Sequence, residues 1–231
     1  MAEPLDNPIW HALIGPHARF ASGAGRARHY FPDVTPFSAI ADTSEAAYAD
    51  LAASLPPGVQ ARMLFSADGP TPPGWETAST DQLVQMIADD VVALDPDARG
   101  ELLVLGAGDV PDMLALAELA RPGPFGPRTH ELGHYVGYRD GGRLLAMGGE
   151  RMRLPGLVEV SAISVHPDVR GRGLGAAIVS YLGRRAMARG EVPFLHAFPD
   201  NPAVALYRRL GFRERTRLWM KLQRVAGPAR A

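Results

Sequence analysis

The stretch that decides the fold is Val165-His166-Pro167-Asp168-Val169-Arg170-Gly171-Arg172-Gly173-Leu174-Gly175, in which an apolar strand leads through a glycine-rich loop into a helix. A helix start presents unpaired backbone N–H groups and the positive end of the helix dipole. Glycine lets that backbone approach a phosphate closely because no Cβ is in the way, and Arg170 and Arg172 add positive charge. The residues therefore predict a cradle for a pyrophosphate group.

Two other phosphate-binding loops fit this stretch less well. A nucleoside-triphosphate P-loop ends in Gly-Lys-Ser/Thr, and no lysine stands here. A dinucleotide loop fits better, since Gly171, Gly173 and Ala176 match G-x-G-x-x-A and Glu191 lies where a ribose-binding acid is expected. A dinucleotide loop, however, follows its strand almost immediately, whereas residues 166–170 intervene here. The dinucleotide fold also needs several further βα units, and the sequence after Gly175 is too short to supply them.

The sequence on both sides of the loop predicts a mixed sheet. Asp140-Gly141-Gly142 is a hairpin signal and Pro155-Gly156 makes the next turn, so residues 133–165 are predicted to form an antiparallel meander. After the loop we expect a helix over 174–189, a short strand over 194–198, a helix that Asn201 caps and Pro202 begins, and a last strand or hairpin over 212–222.

The first hundred residues give weaker signals. A helix is predicted over Ser44–Ser54 with Thr43 or Ser44 as its N-cap, and a strand over Val59–Phe65. Residues 82–94 are ambiguous between helix and strand, and we expect no chemistry from this half. The expected division is an N-terminal region over 1–100 and a second domain, which holds the glycine loop, over 101–231.

Composition excludes several classes of protein. The 231 residues carry 24 basic and 25 acidic side chains, for a net charge of −1, so neither a nucleic-acid nor a membrane partner is expected. With no cysteine there is no disulfide, thiolate metal site or cysteine nucleophile. Residues 1–8 lack the pattern of a signal peptide and no apolar run approaches the ~20 residues of a membrane span. We expect a cytoplasmic protein without a metal site.

Two motifs resemble the GNAT superfamily of coenzyme A-dependent N-acetyltransferases. The first is the family's Arg/Gln-x-x-Gly-x-Gly/Ala after a strand ending in Val-x-Pro, which stands here as Val165-His166-Pro167 and then Arg170 to Gly175. The second is Asn201-Pro202-Ala203-Val204-Ala205-Leu206-Tyr207-Arg208-Arg209-Leu210-Gly211-Phe212. The resemblance covers about residues 101–222, and it looks closest to the branch grouped with the glycine N-acyltransferase-like C-terminal domain.

The resemblance implies the acyl-CoA N-acyltransferase fold, an α/β (α+β) arrangement with a mixed, mainly antiparallel sheet flanked by helices. It also implies direct acetyl transfer from acetyl-CoA to a primary amine in a ternary complex, with acetyl-CoA as cosubstrate. The implied cofactor-binding residues are Ile163, Ser164, Val165, Arg170, Gly171, Arg172, Gly173, Leu174, Gly175 and Asn201. The N-terminal half is either a degenerate half of similar fold or a separate substrate-facing domain.

The implied transfer needs an acid for the departing thiolate, a base for the amine and a donor for the oxyanion. Tyr207 is the candidate acid and Glu159 the candidate base, directly or through water; a core aromatic and a salt-bridged carboxylate are the respective alternatives. By period-two alternation Glu159 is expected to share a face with Ser161, Ile163 and Val165. Other candidate bases are His130, His134, His166 and His196, of which His196 is the best placed, and a backbone N–H near Val165 is the expected oxyanion donor.

The acceptor and the assembly stay open at this stage. A small-molecule or peptide amine is expected as acceptor, and a monomer or homodimer as the functional form. Two alternative functions remain, a non-catalytic acyl-CoA-binding sensor and a dinucleotide-binding enzyme that uses the same loop.

Overall fold

A computed structural model describes residues 3–56 and 58–226 of the protein. The helices are α1 (Pro8–Leu13), α2 (Glu45–Ser54), α3 (Val110–Ala120), α4 (Leu174–Ala188) and α5 (Ala203–Arg209). The strands are β1 (Ala21–Ser22), β2 (Ala27–Tyr30), β3 (Ser38–Ile40), β4 (Ala61–Phe65), β5 (Trp75–Ile87), β6 (Leu103–Leu105), β7 (Tyr135–Asp140), β8 (Arg143–Leu154), β9 (Leu157–Val165), β10 (Val192–Ala197) and β11 (Arg213–Val225). Over these ranges no helix combines the length and the apolar character that crossing a bilayer requires.

The described residues divide into two compact units. The first takes residues 3–32, 36–83 and 217–226, and the second takes 33–35 and 84–216. These units do not follow the boundary expected at residue 100, because the second begins at Val84 and the far end of β11 belongs to the first. The reason is strand pairing, since β11 runs antiparallel to β4 from Trp219 opposite Phe65 to Gln223 opposite Ala61.

The first unit contains a small antiparallel sheet in the order β1-β2-β3 and the antiparallel pair of β4 with β11. The helix α2 starts as the sequence predicts, with Ser44 as its cap, because Ser44 Oγ accepts a hydrogen bond from Ala47 N at 3.3 Å. Its buried face, Ala47, Tyr48 and Leu51, packs in a core with residues of β2, β3 and β4. The ambiguous stretch 82–94 turns out to hold the end of β5 and no helix.

The second unit is built on a mixed sheet in the strand order β11-β5-β10-β9-β8-β7-β6. The strands β6 to β9 form an antiparallel meander and β10 is antiparallel to β5, whereas β9 and β10 are parallel. Residues from α4 and α5 pack with alternate residues of the sheet on one face, and α3 packs on the other. This confirms the predicted mixed, mainly antiparallel sheet flanked by helices, and it places the glycine loop between β9 and α4.

Candidate active site

The glycine loop has the backbone that close approach requires. Gly171 and Gly173 have φ angles of 80° and 79°, a region that disfavours side chains, and Gly173 immediately precedes α4. A cavity of about 290 Å³ opens at this point. Its walls are Val165, Val169, Arg170, Gly171, Gly173, Leu174, Gly175, Ala176, Leu206 and Arg209. The loop therefore presents a concave, positively charged surface at the start of a 15-residue helix.

The pairing of β9 with β10 ends before β9 reaches this cavity. Their parallel pairing runs from Leu157 opposite Val192 to Glu159 opposite Phe194 and stops there, although β9 continues to Val165. On its other edge β9 stays paired with β8 up to Val165. The last residues of β9 thus keep one edge towards the gap, where an extended arm of a cofactor could pair with the backbone.

A β-bulge in β9 corrects the predicted face pattern. Ser161 lies opposite Gly149, but Ser164 lies opposite Met147, so β9 carries one extra residue, and Ala162 takes a φ of 56°. Ala162 packs with α3, while Ile163 and Val165 pack with the core around α4. The alternation changes phase at the bulge, because an inserted residue shifts every later side chain to the other face. The expectation that Glu159 shares a face with Ile163 and Val165 was wrong.

Glu159 lies at the last position at which β9 pairs with β10, in a buried ion pair. Arg151 donates two hydrogen bonds to its carboxylate, from Nε at 2.9 Å and from Nη2 at 2.8 Å. Burial alone would raise the pKa of Glu159, but the Arg151 charge and hydrogen bonds outweigh it and hold that pKa at about 2. The salt bridge left open by the sequence is therefore present. So stable a carboxylate is a weak base, so the low pKa disfavours the prediction that Glu159 takes the proton, directly or through water, and that role stays a prediction.

His196 connects Glu159 to the neighbouring strand. Its Nδ1 lies 2.8 Å from Glu159 Oε1 and its Nε2 lies 3.0 Å from Gln85 Nε2. Arg215 Nη1 donates to Gln85 Oε1 at 2.9 Å, which turns the Gln85 amide nitrogen towards the imidazole. His196 Nε2 then accepts and Nδ1–H donates, so a neutral imidazole with a lone pair on Nε2 satisfies every contact.

Tyr207 lies in α5 within the core on the α4 side of the sheet. Its residue is 8% exposed, its ring meets Phe212 edge to face at 6.4 Å, and burial raises its pKa to about 12. Among the described residues its hydroxyl has no hydrogen-bond partner. The phenol therefore stays protonated at neutral pH with its proton uncommitted, as an acid for a thiolate requires.

Asn201 caps α5 from one residue further away than predicted. The helix starts at Ala203, and Asn201 Oδ1 accepts a hydrogen bond from Ala203 N at 2.9 Å. Asn201 is exposed and does not line the cavity, and neither do Ile163, Ser164 and Arg172. Ser164 is buried with its hydroxyl donated to Ala162 O at 3.1 Å, so its side chain serves the bulge.

The other candidate histidines lie apart from the Glu159 network. His166 makes its contacts outside the cavity. Its Nδ1 lies 3.0 Å from Arg143 Nη2 and accepts a hydrogen bond from Asp168 N at 3.3 Å. His134 lies 3.4 Å from the Tyr181 hydroxyl, and burial lowers its pKa. His130 Nδ1 is buried without a partner in the described part of the chain. No cluster of metal-binding side chains occurs in those residues either.

Sequence reasoning missed three members of the polar network, Arg151, Gln85 and Arg215. Arg151 carried one usable signal, because a charge among the apolar residues of a predicted strand needs a partner when it is buried. Gln85 and Arg215 carried none, since each lies in a strand whose pairing depends on residues far away in the sequence.

Comparison with known proteins agrees with this geometry. The family of FR47-like proteins matches residues 135–220, a range that holds both motifs. A solved structure from Novosphingobium aromaticivorans, described as a GNAT-family acetyltransferase, is 38% identical; the match covers 98% of this chain and 100% of that one, with a TM-score of 0.88. The chain belongs to the GNAT family of acetyltransferases.

More distant GNAT structures share the fold. One from Kribbella flavida is 20% identical, with 98% of both chains covered and a TM-score of 0.66. One from Colwellia psychrerythraea is 16% identical, with 64% of this chain and 58% of that chain covered and a TM-score of 0.51. No curated protein matches the chain by sequence. The protein is thus an acyltransferase, and the narrower branch expected from the motifs stays a prediction.

Proposed function

We propose that this GNAT protein moves an acetyl group from acetyl-CoA to a primary amine by direct transfer in a ternary complex. The observation that carries the proposal is that β9 runs from Glu159, where its pairing with β10 ends, to Val165, which lines the cavity at the glycine loop. One strand thus carries both the carboxylate of the polar network and part of the candidate phosphate-binding surface.

The residues of the loop suit the phosphate end of coenzyme A. A Cβ at Gly171 would meet no atom within 4 Å, so the space in front of that backbone is open. The N–H groups at the start of α4 and the positive side chains of Arg170 and Arg209 face an anion there. Acetyl-CoA, when bound, supplies the activated thioester. Ile163 to Val165 would hold its extended arm by their backbone groups, and an N–H near Val165 would stabilise the charged oxygen.

The polar network prepares the amine, in our proposal. His196 Nε2 takes the proton from the incoming ammonium group, directly or through water, after the Gln85 amide moves aside. Glu159 acts through His196, because its charge holds the imidazole in place and stabilises the imidazolium. Tyr207 donates its proton to the sulfur that leaves.

The antiparallel meander argues against the dinucleotide-binding alternative, which requires a mainly parallel sheet. A non-catalytic acyl-CoA sensor remains the competing function, since it would use the same cavity. We propose a small-molecule or peptide amine as acceptor, a cytoplasmic location, and a monomer or homodimer.

Calorimetry tests the donor, with acetyl-CoA as ligand and NAD and ATP as controls. We expect acetyl-CoA alone to bind, with a Kd of about micromolar or tighter. A panel of amines then tests transfer by thiol release, and the absence of cysteine leaves no protein thiol to raise the background. Binding without turnover of any amine would favour the sensor, and binding of NAD in place of acetyl-CoA would refute the proposal.

A further inference from the structure

The segment that precedes β6 lies along α4, and we call residues 91–99 the strap. Val91 packs on Gly183, where an added Cβ would lie 3.0 Å from Val91 Cγ2. Val91 O accepts a hydrogen bond from Arg184 Nη1 at 3.3 Å. The strap is therefore attached to the second half of α4 at its first residue.

Ser180 attaches the strap one turn nearer the start of α4. Its hydroxyl donates to Val92 O at 2.6 Å and accepts from Leu94 N at 3.0 Å, and the residue is fully buried. Tyr138 then donates to Pro96 O at 2.8 Å. These contacts fix the strap in a course that runs towards the glycine loop.

The strap ends with Arg99 above the glycine that precedes α4. An added Cβ on Gly173 would lie 2.6 Å from Arg99 Nε and 3.2 Å from Nη2, so the guanidinium lies against that backbone. Arg99 Nη1 donates to Asp95 O at 3.3 Å. The nearby carboxylates of Asp95 and Asp97 accept from backbone N–H groups, and among the described residues Arg99 has no ion pair.

The loop and the cavity walls themselves carry positive side chains without ion pairs. Arg170 and Arg209 line the cavity and Arg172 lies between the two glycines, and none of them forms an ion pair with a described residue. The nearest acid in sequence, Asp168, is already paired with Arg143 at 3.0 Å. Arg99 adds a fourth positive side chain from a separate part of the chain.

We propose that Arg99 is a binding residue for the pyrophosphate of coenzyme A, which it clamps against the N–H groups of the glycine loop. This inference rests on the proposed function. A guanidinium offers a planar fork of donors that matches phosphate oxygens. The strap places that fork against the backbone of Gly173, which lines the cavity, so an anion bound there would meet the guanidinium as well as the N–H groups of the loop.

Calorimetry on the full chain tests the clamp with coenzyme A and with dephospho-coenzyme A, which lacks the 3′-phosphate. Arg99→Gln should weaken the binding of both by roughly 10- to 100-fold, as expected for one charge-assisted contact. It should also reduce the loss of affinity that added salt causes. Arg224→Gln, which removes an exposed arginine of the first unit, is the matched control and should bind as the wild type does.

A double-mutant cycle tests the role of the strap. Ser180→Ala removes both Ser180 anchors, so it should weaken coenzyme A binding in the wild type and have no further effect when Arg99 is already glutamine. Circular dichroism checks that each variant is folded.

The two proposals fail in different ways. If the wild type does not bind coenzyme A, the proposed function fails. If the wild type binds and Arg99→Gln binds equally well, or if the loss is confined to the ligand with the 3′-phosphate, the pyrophosphate clamp is refuted and the function stands.

Discussion

Replacing Glu159 by glutamine removes one charge from the buried ion pair and little else. The side chains of Arg151 and Glu159 are 10% and 1% exposed, so water cannot solvate the arginine once its partner is neutral. The amide of glutamine accepts at one atom where the carboxylate accepted at two. The variant thus keeps the shape of the site and removes the negative charge that faces the Arg151 guanidinium.

The expected loss of stability follows from the pKa of Glu159. The fall from the model-compound value of 4.5 to about 2 corresponds to about 3 kcal/mol of stability at neutral pH. Breaking a buried ion pair by removing one partner costs about 3–5 kcal/mol, which agrees. Because the folded pKa is the lower one, this contribution is complete above pH 4.5 and is lost as the pH falls towards 2. The difference between wild type and variant should therefore be largest near neutrality and shrink below pH 4.5.

The measurement must report on the second unit. All three tryptophans, Trp10, Trp75 and Trp219, belong to the first unit, so their fluorescence is the wrong probe. Urea unfolding followed by far-UV circular dichroism, with hydrogen exchange of the β9 amides, gives the free energy of opening at the site. The reference is Glu131→Gln, because Arg128 binds Glu131 with the same two-bond geometry at 2.8 and 2.9 Å, but with the two side chains 40% and 35% exposed.

The reference variant should lose less than about 1 kcal/mol, as exposed ion pairs do. A loss of less than about 1 kcal/mol for Glu159→Gln at pH 7 would refute the reasoning. So would a loss that stays constant between pH 7 and pH 3.5, because the charge of Glu159 would then not be its source.

Five more substitutions test the roles of the glycine loop, of Tyr207 and of the bulge at Ala162. Gly173 and Gly171 both have a positive φ, so Gly173→Ala and Gly171→Ala should each cost about 1–2 kcal/mol of stability. Only the added Cβ of Gly173→Ala collides with Arg99, so calorimetry should show a much larger loss of coenzyme A affinity for that variant. Equal losses of affinity in the two variants would contradict this. Tyr207→Phe should lower kcat about 100-fold and leave KM and the unfolding midpoint unchanged. The Tyr207 pKa of about 12 also predicts that ionisation of this phenol does not lower the wild-type rate below about pH 11. An unchanged kcat would mean that Tyr207 only fills the core. Ala162→Val should destabilise the second unit by more than about 2 kcal/mol in urea unfolding, because a β-branched side chain resists a φ of 56°, whereas Ala162→Gly should stay within about 1 kcal/mol of the wild type.

The glycine loop, the meander before it and the helix after it could be predicted because each depends on local signals. Gly173 allows the turn that starts the next helix, and Asp140-Gly141-Gly142 forms the turn between two adjacent strands. Each affects only the few residues on either side of it. The same holds for Ser44, whose capping bond reaches three residues along the chain. The family resemblance used these same local stretches, and the fold that it implied is the one observed.

The bulge at Ala162 could not be predicted, because alanine gives no sign of a positive φ. It is imposed by pairing with β8, and it separates Glu159 from residues that strict alternation places beside it. The low pKa of Glu159 could not be predicted for a related reason. Its sequence neighbours are apolar, and the arginine and histidine that set its pKa come from β8 and β10.

The paired strands β4 and β11 have a consequence for the order in which this chain can fold. The residues of β4 are made before residues 84–216, and their partners Trp219 to Gln223 are made after them, so β4 cannot complete this pairing until the second unit has been synthesised. Until then β4 lacks its antiparallel neighbour, and an unpaired strand edge readily pairs with a neighbouring molecule. Completion of the first unit thus waits for β11.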